Sequence, residues 1–162
     1  MNLNKFEWVS YRRDFVWDRL PVRSTKCSAG YDFFAPTVII IEPHETTSLM
    51  FTDIKVQLDK DKVLMLFPRS SMGMKGISLA NTTGIIDSDY YNNKSNEGNI
   101  GFSLVNNSDK QIVIQKGEKF MQGVIVKYYT TDDDNTKGKR EGGFGSTDDK
   151  AKKTTYNHRR RK

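Results

Sequence analysis

The run Gly84-Ile85-Ile86-Asp87-Ser88-Asp89-Tyr90 joins apolar β-formers directly to two carboxylates and a tyrosine, with no helical period on either side. A strand that ends this way delivers its polar groups to the edge of a sheet. An ionised Asp87 there can meet a substrate, and the Tyr90 ring offers a face that can lie against a flat ring. Asp89 reads as a turn carboxylate or an ion-pair partner. A second cluster, Pro68-Arg69-Ser70-Ser71, follows an apolar run. A strand stops at the proline and a turn opens a helical start, which gathers free N–H groups, two hydroxyls and a guanidinium where an anion fits. The same residues also make an ordinary helix cap with a surface arginine. In the third cluster, Arg140 precedes Gly142-Gly143-Phe144-Gly145-Ser146-Thr147. Glycines around one aromatic can wrap N–H groups about an anion, with the Ser146 and Thr147 hydroxyls as further donors and Phe144 as a stacking face. Arg140 adds a planar fork suited to phosphate. The segment equally reads as a flexible glycine tail.

The elements that must position these groups are strands. Val38–Ile41, Val63–Phe67, Ile112–Ile114 and Val124–Val126 are short apolar or β-branched runs, and Ile54, Val56 and Leu58 alternate with polar residues. Phe102 and Leu104 alternate in the same way. Turn residues break the chain every eight to twelve positions, the spacing of a sandwich or barrel. One short helix is expected from Ser70 to Lys75, with Ser70 as its cap, and Thr82-Thr83-Gly84 is expected to make a hairpin. The fold class is therefore all-β, a distorted jelly roll or barrel of short strands with at most one short helix. Residues 1–129 form the body. The polar stretch 130–139 reads as a flexible linker, 140–147 as a glycine-rich arm and 148–162 as a disordered basic tail.

Five segments in fixed order carry a resemblance: AGYDFFA (29–35), PRSSMGMKG (68–76), NTTGIIDSDYY (81–91), KGEKFMQ (116–122) and REGGFGST (140–147). Together they resemble the trimeric dUTPase family. The resemblance implies a homotrimer whose sites are each assembled from more than one subunit. It implies that dUTP is hydrolysed to dUMP and pyrophosphate with Mg²⁺, and that Asp87 activates the attacking water. Arg69, Ser70, the Ser71 backbone and Gln122 would hold the phosphates. Asn81 and the backbone of Gly84 and Ile86 would read the uracil edge, and Tyr90 would pack on the sugar. Arg140, Phe144, Gly145, Ser146 and Thr147 would close over the nucleotide. Asp32 would help hold a metal-bound water. Two departures stand out. One residue, Glu141, separates Arg140 from the glycine pair where many members have two, and Tyr91 to Glu97 insert about six residues before Gly98-Asn99. The insert is polar and Asn-rich, as a surface loop is; a subset of the family carries a similar extended YYxNxxNEG pattern.

Length and composition bound the rest. At 162 residues the chain is one domain. It lacks CxxC, HExxH and DxDxDG metal patterns, a P-loop and a GxSxG elbow. Its single Cys27 excludes an internal disulfide and reads as a small buried or half-buried residue. No apolar run is long enough to span a membrane and no leader is evident, so a cytoplasmic location is expected. The net charge of +6 is concentrated in the tail, which leaves the body near neutral and argues against a specific nucleic-acid binder. Two rival functions remain. One is dCTP deamination on the same fold class. The other is a nucleotide-gated regulatory protein that contacts an unknown protein partner through the 91–97 loop or the tail.

Overall fold

The computed structural model describes residues 4–140. Phe144, Gly145, Ser146, Thr147 and the basic tail lie outside the described residues. The central element is a four-stranded antiparallel sheet of β2 (Tyr31–Phe34), β12 (Lys119–Lys127), β6 (Lys62–Pro68) and β8 (Gly84–Asp87), in that order. Four antiparallel pairs wrap around it. They are β1 (Lys5–Trp8) with β5 (Ile54–Gln57), β3 (Ile39–Ile41) with β11 (Ile112–Ile114), β4 (Met50–Phe51) with β9 (Gly101–Phe102), and β7 (Ile77–Leu79) with β10 (Leu104–Asn106). This is the all-β body that the alternating runs predict. No helix among the described residues is long and apolar enough to cross a membrane.

One core fills the space between the pairs. Phe33, Leu64, Leu66 and Met121 face it from the central sheet, and Ile41, Val56, Ile77, Leu104 and Ile114 meet them from the outer strands. Phe102 and Phe120 pack with their rings tilted at 53° and centroids 4.7 Å apart. The opposite face of the central sheet follows from its register. Asp32, Gln122 and Phe67 stand in one row across three strands, then Val124, Met65 and Ile85, then Val126, Val63 and Asp87. Directly opposed residues point to the same face. One outer face therefore carries polar groups at both ends and an apolar row between them, with Ile85 half exposed.

Three local expectations are corrected. The helix α1 spans Ser70–Met74, and the N-cap is Arg69 in extended conformation, so Ser70 is the first helical residue and makes no capping bond. Residues 82–84 do not close a hairpin, because β7 pairs with β10 while β8 pairs with β6. They turn a corner between two sheets, with Thr82 at φ 63°. Cys27 is exposed.

The N-terminal segment, which shows little alternation, is held by polar contacts. Asp53, only 1% exposed, accepts from the Arg13 backbone N–H at 3.0 Å, from Arg13 Nε at 2.8 Å and from Asn99 Nδ2 at 3.1 Å. Burial opposes its charge, but these donors outweigh it and hold the carboxyl below its ordinary range. A carboxylate depressed in the folded state contributes stability above its unfolded pKa, and that contribution is lost as pH falls through the folded value. Arg13→Met should therefore destabilise the fold at pH 7 by about 2–3 kcal/mol, less than for a fully buried pair because the guanidinium is partly wet. The deficit should shrink below about pH 4, where the stranded Asp53 becomes protonated. Urea denaturation of both proteins at pH 7 and pH 3 checks this; an equal deficit at both would rule out the ion pair as its source.

Candidate active site

The sheet register builds a cavity at one end of the outer face. Gln122 on β12 faces Asp32 on β2 and Phe67 on β6. The ladder between β12 and β2 slips between Lys119 and Met121. That extra residue reverses the alternation, so Lys119 and Gln122, three apart, both reach the Asp32 side of the sheet. Arg69 follows β6 and is anchored by its N–H to the Phe120 carbonyl at 3.1 Å. The cavity, of about 590 Å³, is lined by Asp32, Arg69, Ser70, Ser71 and Gln122 with the Ser28–Gly30 turn. A Cβ at Gly30 would stand 2.6 Å from Gln122 Oε1, so a side chain there would displace the Gln122 amide from its place in the cavity.

Asp32 is the hub of this cavity rather than a strand-end carboxylate. It is 5% exposed and accepts from Arg69 Nε at 2.9 Å, Lys119 Nζ at 2.9 Å and Ser24 Oγ at 2.6 Å. Burial works to raise its pKa; the Ser24 hydroxyl, Lys119 and Arg69 together pull it down. Because Arg69 spends Nε on Asp32, its other N–H donors can turn to an anion in the cavity. A carboxylate has about four acceptor positions, and three are occupied here. Asp32 can accept one further bond from a water, but two adjacent cations disfavour direct bonding to a metal. Among the described residues, no three His, Cys, Asp or Glu side chains converge as metal ligands.

The second group lies elsewhere. Asp87 closes β8, and a single 3-10 turn over Ser88–Tyr90 follows it. Asp87 and Asp89 line a separate cavity of about 1120 Å³ beneath residues 136–140. Arg140 occupies both carboxylates: its Nη2 pairs with Asp87 and its Nε with Asp89 at 2.7 Å. The same guanidinium sits 5.8 Å from the centre of the Tyr90 ring. Asp89 is thus an ion-pair partner, as its position implies. Tyr90 is 7% exposed, and burial raises its pKa above the ordinary phenol value. Gly84 and Ile86 lie two apart on β8, the outermost strand of its sheet among the described residues, so their backbone groups face one side. Asn81 is exposed on the corner before them.

Within one chain these two groups do not meet. The Asp87 row and the Gln122–Phe67 row are four residues apart on β6, roughly 13 Å along the strand. Arg69–Ser71 lies farther on in the same direction. A water held by Asp87 cannot reach a phosphorus held in the Arg69 cavity of the same chain, because reacting atoms must approach to about 3–3.5 Å.

Comparison with known proteins identifies the family. The dUTPase family model matches residues 18–148. The chain belongs to the dUTPase family. It is 42% identical over 151 residues to a deoxyuridine 5'-triphosphate nucleotidohydrolase of Lactococcus lactis, covering 91% of this chain and 99% of that protein. The corresponding Hydrogenobaculum protein is 35% identical, with 79% and 89% covered. The crystal structure of dUTPase from Streptococcus mutans superposes with a TM-score of 0.68 at 36% identity, covering 78% of this chain and 98% of that one.

Sequence reasoning missed Lys119 and Ser24. The signal was faint: Lys119 lies in the KGEKFMQ segment, but its role depends on the slipped register. Lys119→Met should leave Asp32 with one cation and one hydroxyl. The expected cost is about 1–2 kcal/mol of stability, since Lys119 is itself one-third exposed. The Asp32 pKa should rise, which carboxyl-carbon NMR titration would follow; an unmoved pKa would show that Lys119 is incidental.

Proposed function

We propose that this chain hydrolyses dUTP to dUMP and pyrophosphate, at sites shared between copies of itself. The observation that carries the shared-site reading is the separation of Asp87 from the Arg69 cavity on a single sheet face. Each Asp87 would then serve a phosphate chain held by Arg69, Ser70, the Ser71 N–H and Gln122 of another copy. The half-exposed apolar row of Val124, Met65 and Ile85, lying between the two groups, is the natural place for contact between copies. A trimer closes such head-to-tail contacts into a ring.

In the reaction, Asp87 takes a proton from a water, and the resulting hydroxide attacks the α-phosphorus in line. The bond to the β-phosphate oxygen breaks, and pyrophosphate leaves with that electron pair. Arg69 and the Ser70–Ser71 donors hold the charge that develops on the triphosphate. Mg²⁺ bound to the triphosphate supplies charge neutralisation at the leaving group. Asp32 suits the support of a water on that ion, since it has one acceptor position free. The Gly84 and Ile86 backbone and the Asn81 amide read the uracil edge, and Tyr90 walls off the sugar. For the base to work, Arg140 has to leave Asp87. Its guanidinium then becomes available to the terminal phosphate, together with the Ser146 and Thr147 hydroxyls and the Gly145 backbone, while Phe144 stacks on the uracil.

Pyrophosphate release with Mg²⁺ should be fast from dUTP and slow from UTP, dCTP and dTTP. Asp87→Asn should still bind dUTP while turnover falls about 10²–10⁴-fold, the usual contribution of a positioned base. Near-normal turnover in that variant would remove Asp87 from the mechanism. The shared site has its own test in mixed subunits. Asp87→Asn and Arg69→Ala are each expected to be nearly inactive, and co-refolding them should restore a measurable fraction of activity. Sedimentation should give three times the 18.6 kDa chain mass. A mixture no more active than its components would mean that one chain supplies both groups.

A further inference from the structure

We propose that the inserted segment 92–97 is a positioning clamp for Tyr90, in which Asn96 fixes the tyrosine hydroxyl and the N-terminal segment fixes Asn96. The inference rests on the reading of Tyr90 as the wall against the sugar.

The insert is not a loop open to solvent throughout. Asn93 is 8% exposed and Asn99 2%. Asn93 Nδ2 donates to the Tyr90 carbonyl at 2.9 Å, while Asn93 Oδ1 accepts from Ser95 and from the Asn96 N–H. This folds the segment back onto the residue it follows. Asn96 Nδ2 then donates to the Tyr90 hydroxyl at 2.7 Å, and that hydroxyl donates to the Asn99 carbonyl at 3.0 Å. The phenol thus has its proton committed to one side and a side-chain donor on the other. Gly98 makes the fold-back possible: its φ is +82°, and a Cβ would stand 2.6 Å from the Tyr90 carbonyl oxygen.

A second set of contacts holds the insert from outside. The Tyr11 hydroxyl donates to the Asn96 carbonyl at 2.9 Å. The Ser10 N–H donates to the Glu97 carboxylate at 3.0 Å, the Ser10 hydroxyl bonds the same group, and Lys55 Nζ reaches it at 3.1 Å and Asn92 Oδ1 at 2.7 Å. Tyr91 bonds Glu7 on β1. The Ser10 hydrogen bonds and Lys55 lower the Glu97 pKa to about 2, so the latch is charged at any working pH. The N-terminal segment, the insert and Tyr90 therefore form one chain of contacts, Tyr11 to Asn96 to Tyr90.

A wall that must reject one added oxygen works only if its ring is held in place. An apolar pocket discriminates against an added hydroxyl by about 10²-fold at best. A ring free to pivot about its Cβ would lose much of that.

The experiment is a comparison of dUTP and UTP specificity constants for the full-length wild type, Asn96→Ala, Tyr90→Phe, the double variant and Tyr90→Ala. Tyr90→Ala should collapse the dUTP preference. Asn96→Ala should lower it about tenfold, through UTP capture, with kcat on dUTP within about threefold of wild type. In the Tyr90→Phe background, which lacks the hydroxyl, Asn96→Ala should have no further effect. If Asn96→Ala keeps the wild-type ratio while Tyr90→Ala lowers it, the clamp is refuted and the sugar wall stands. If Tyr90→Ala leaves the ratio unchanged, the sugar-wall reading fails and the clamp with it. Should Asn96→Ala not fold, Tyr11→Phe decides from the surface: a shift of about threefold in the same direction supports the clamp, and an unchanged ratio overturns it.

Discussion

The register of β12 is the constraint on which the rest depends. This one strand pairs with β2 on one side and β6 on the other, and both pairings set the outer face of the sheet. A slip by one residue would turn Gln122 into the core and Met121 out of it. The single irregularity near Lys119 places a cation beside Asp32 that strict alternation would have pointed away. Burial of Asp32 is tolerable only because Arg69, Lys119 and Ser24 all converge on it. The cavity beside Arg69 is thus a by-product of satisfying one buried charge: Arg69 is held by the carboxylate and has its remaining donors left for the cavity.

The same register keeps Asp87 away from the Arg69 cavity of its own chain. Rows on an antiparallel sheet keep fixed separations, and no side-chain rotation spans the distance between the Asp87 row and the Gln122 row. An isolated chain holds Asp87 and the Arg69 cavity apart, so the proposed sharing of a site between copies would couple assembly to chemistry. It also gives the pairing of Arg140 with Asp87 and Asp89 a physical sense. Asp87 and Asp89 lie two residues apart at a short 3-10 turn, and the guanidinium that pairs with both relieves their mutual repulsion.

Much of this was legible from residue order, and the illegible parts have definite causes. Strands with β-branched runs, such as β3, β6 and β11, announce themselves, as do the polar ends that follow β6 and β8. Lys5–Trp8 does not: KFEW has no clean alternation, and β1 is held by its pairing with β5 and by Phe6 packing against Tyr31 and Phe33. Ser70 looks like a cap because the residue type fits, yet Arg69 is the extended residue at the N-cap, its N–H held by the Phe120 carbonyl, and the helix starts at Ser70 itself. Thr82-Thr83-Gly84 has hairpin composition, but the flanking strands find partners in different sheets, and pairing over long sequence separations leaves no local trace. Asp32 could be located by its motif; its three partners come from residues 24, 69 and 119, and only the folded register brings them together.

The insert shows how composition misleads most. Its asparagines and serine read as solvent-loving, and in isolation they are. Asparagine, however, carries both a donor and an acceptor, and a short run of them can satisfy its own backbone and a neighbour's at once. Asn93 and Asn96 do this against Tyr90, so the polarity that marks a loop in sequence becomes an internal brace in the fold. A brace made of hydrogen bonds has a use that an apolar plug lacks. Hydrogen bonds fix direction, whereas dispersion contacts mainly fill volume. A tyrosine proposed to wall off a sugar is better served by direction, and the nine residues from Tyr91 to Asn99 supply it.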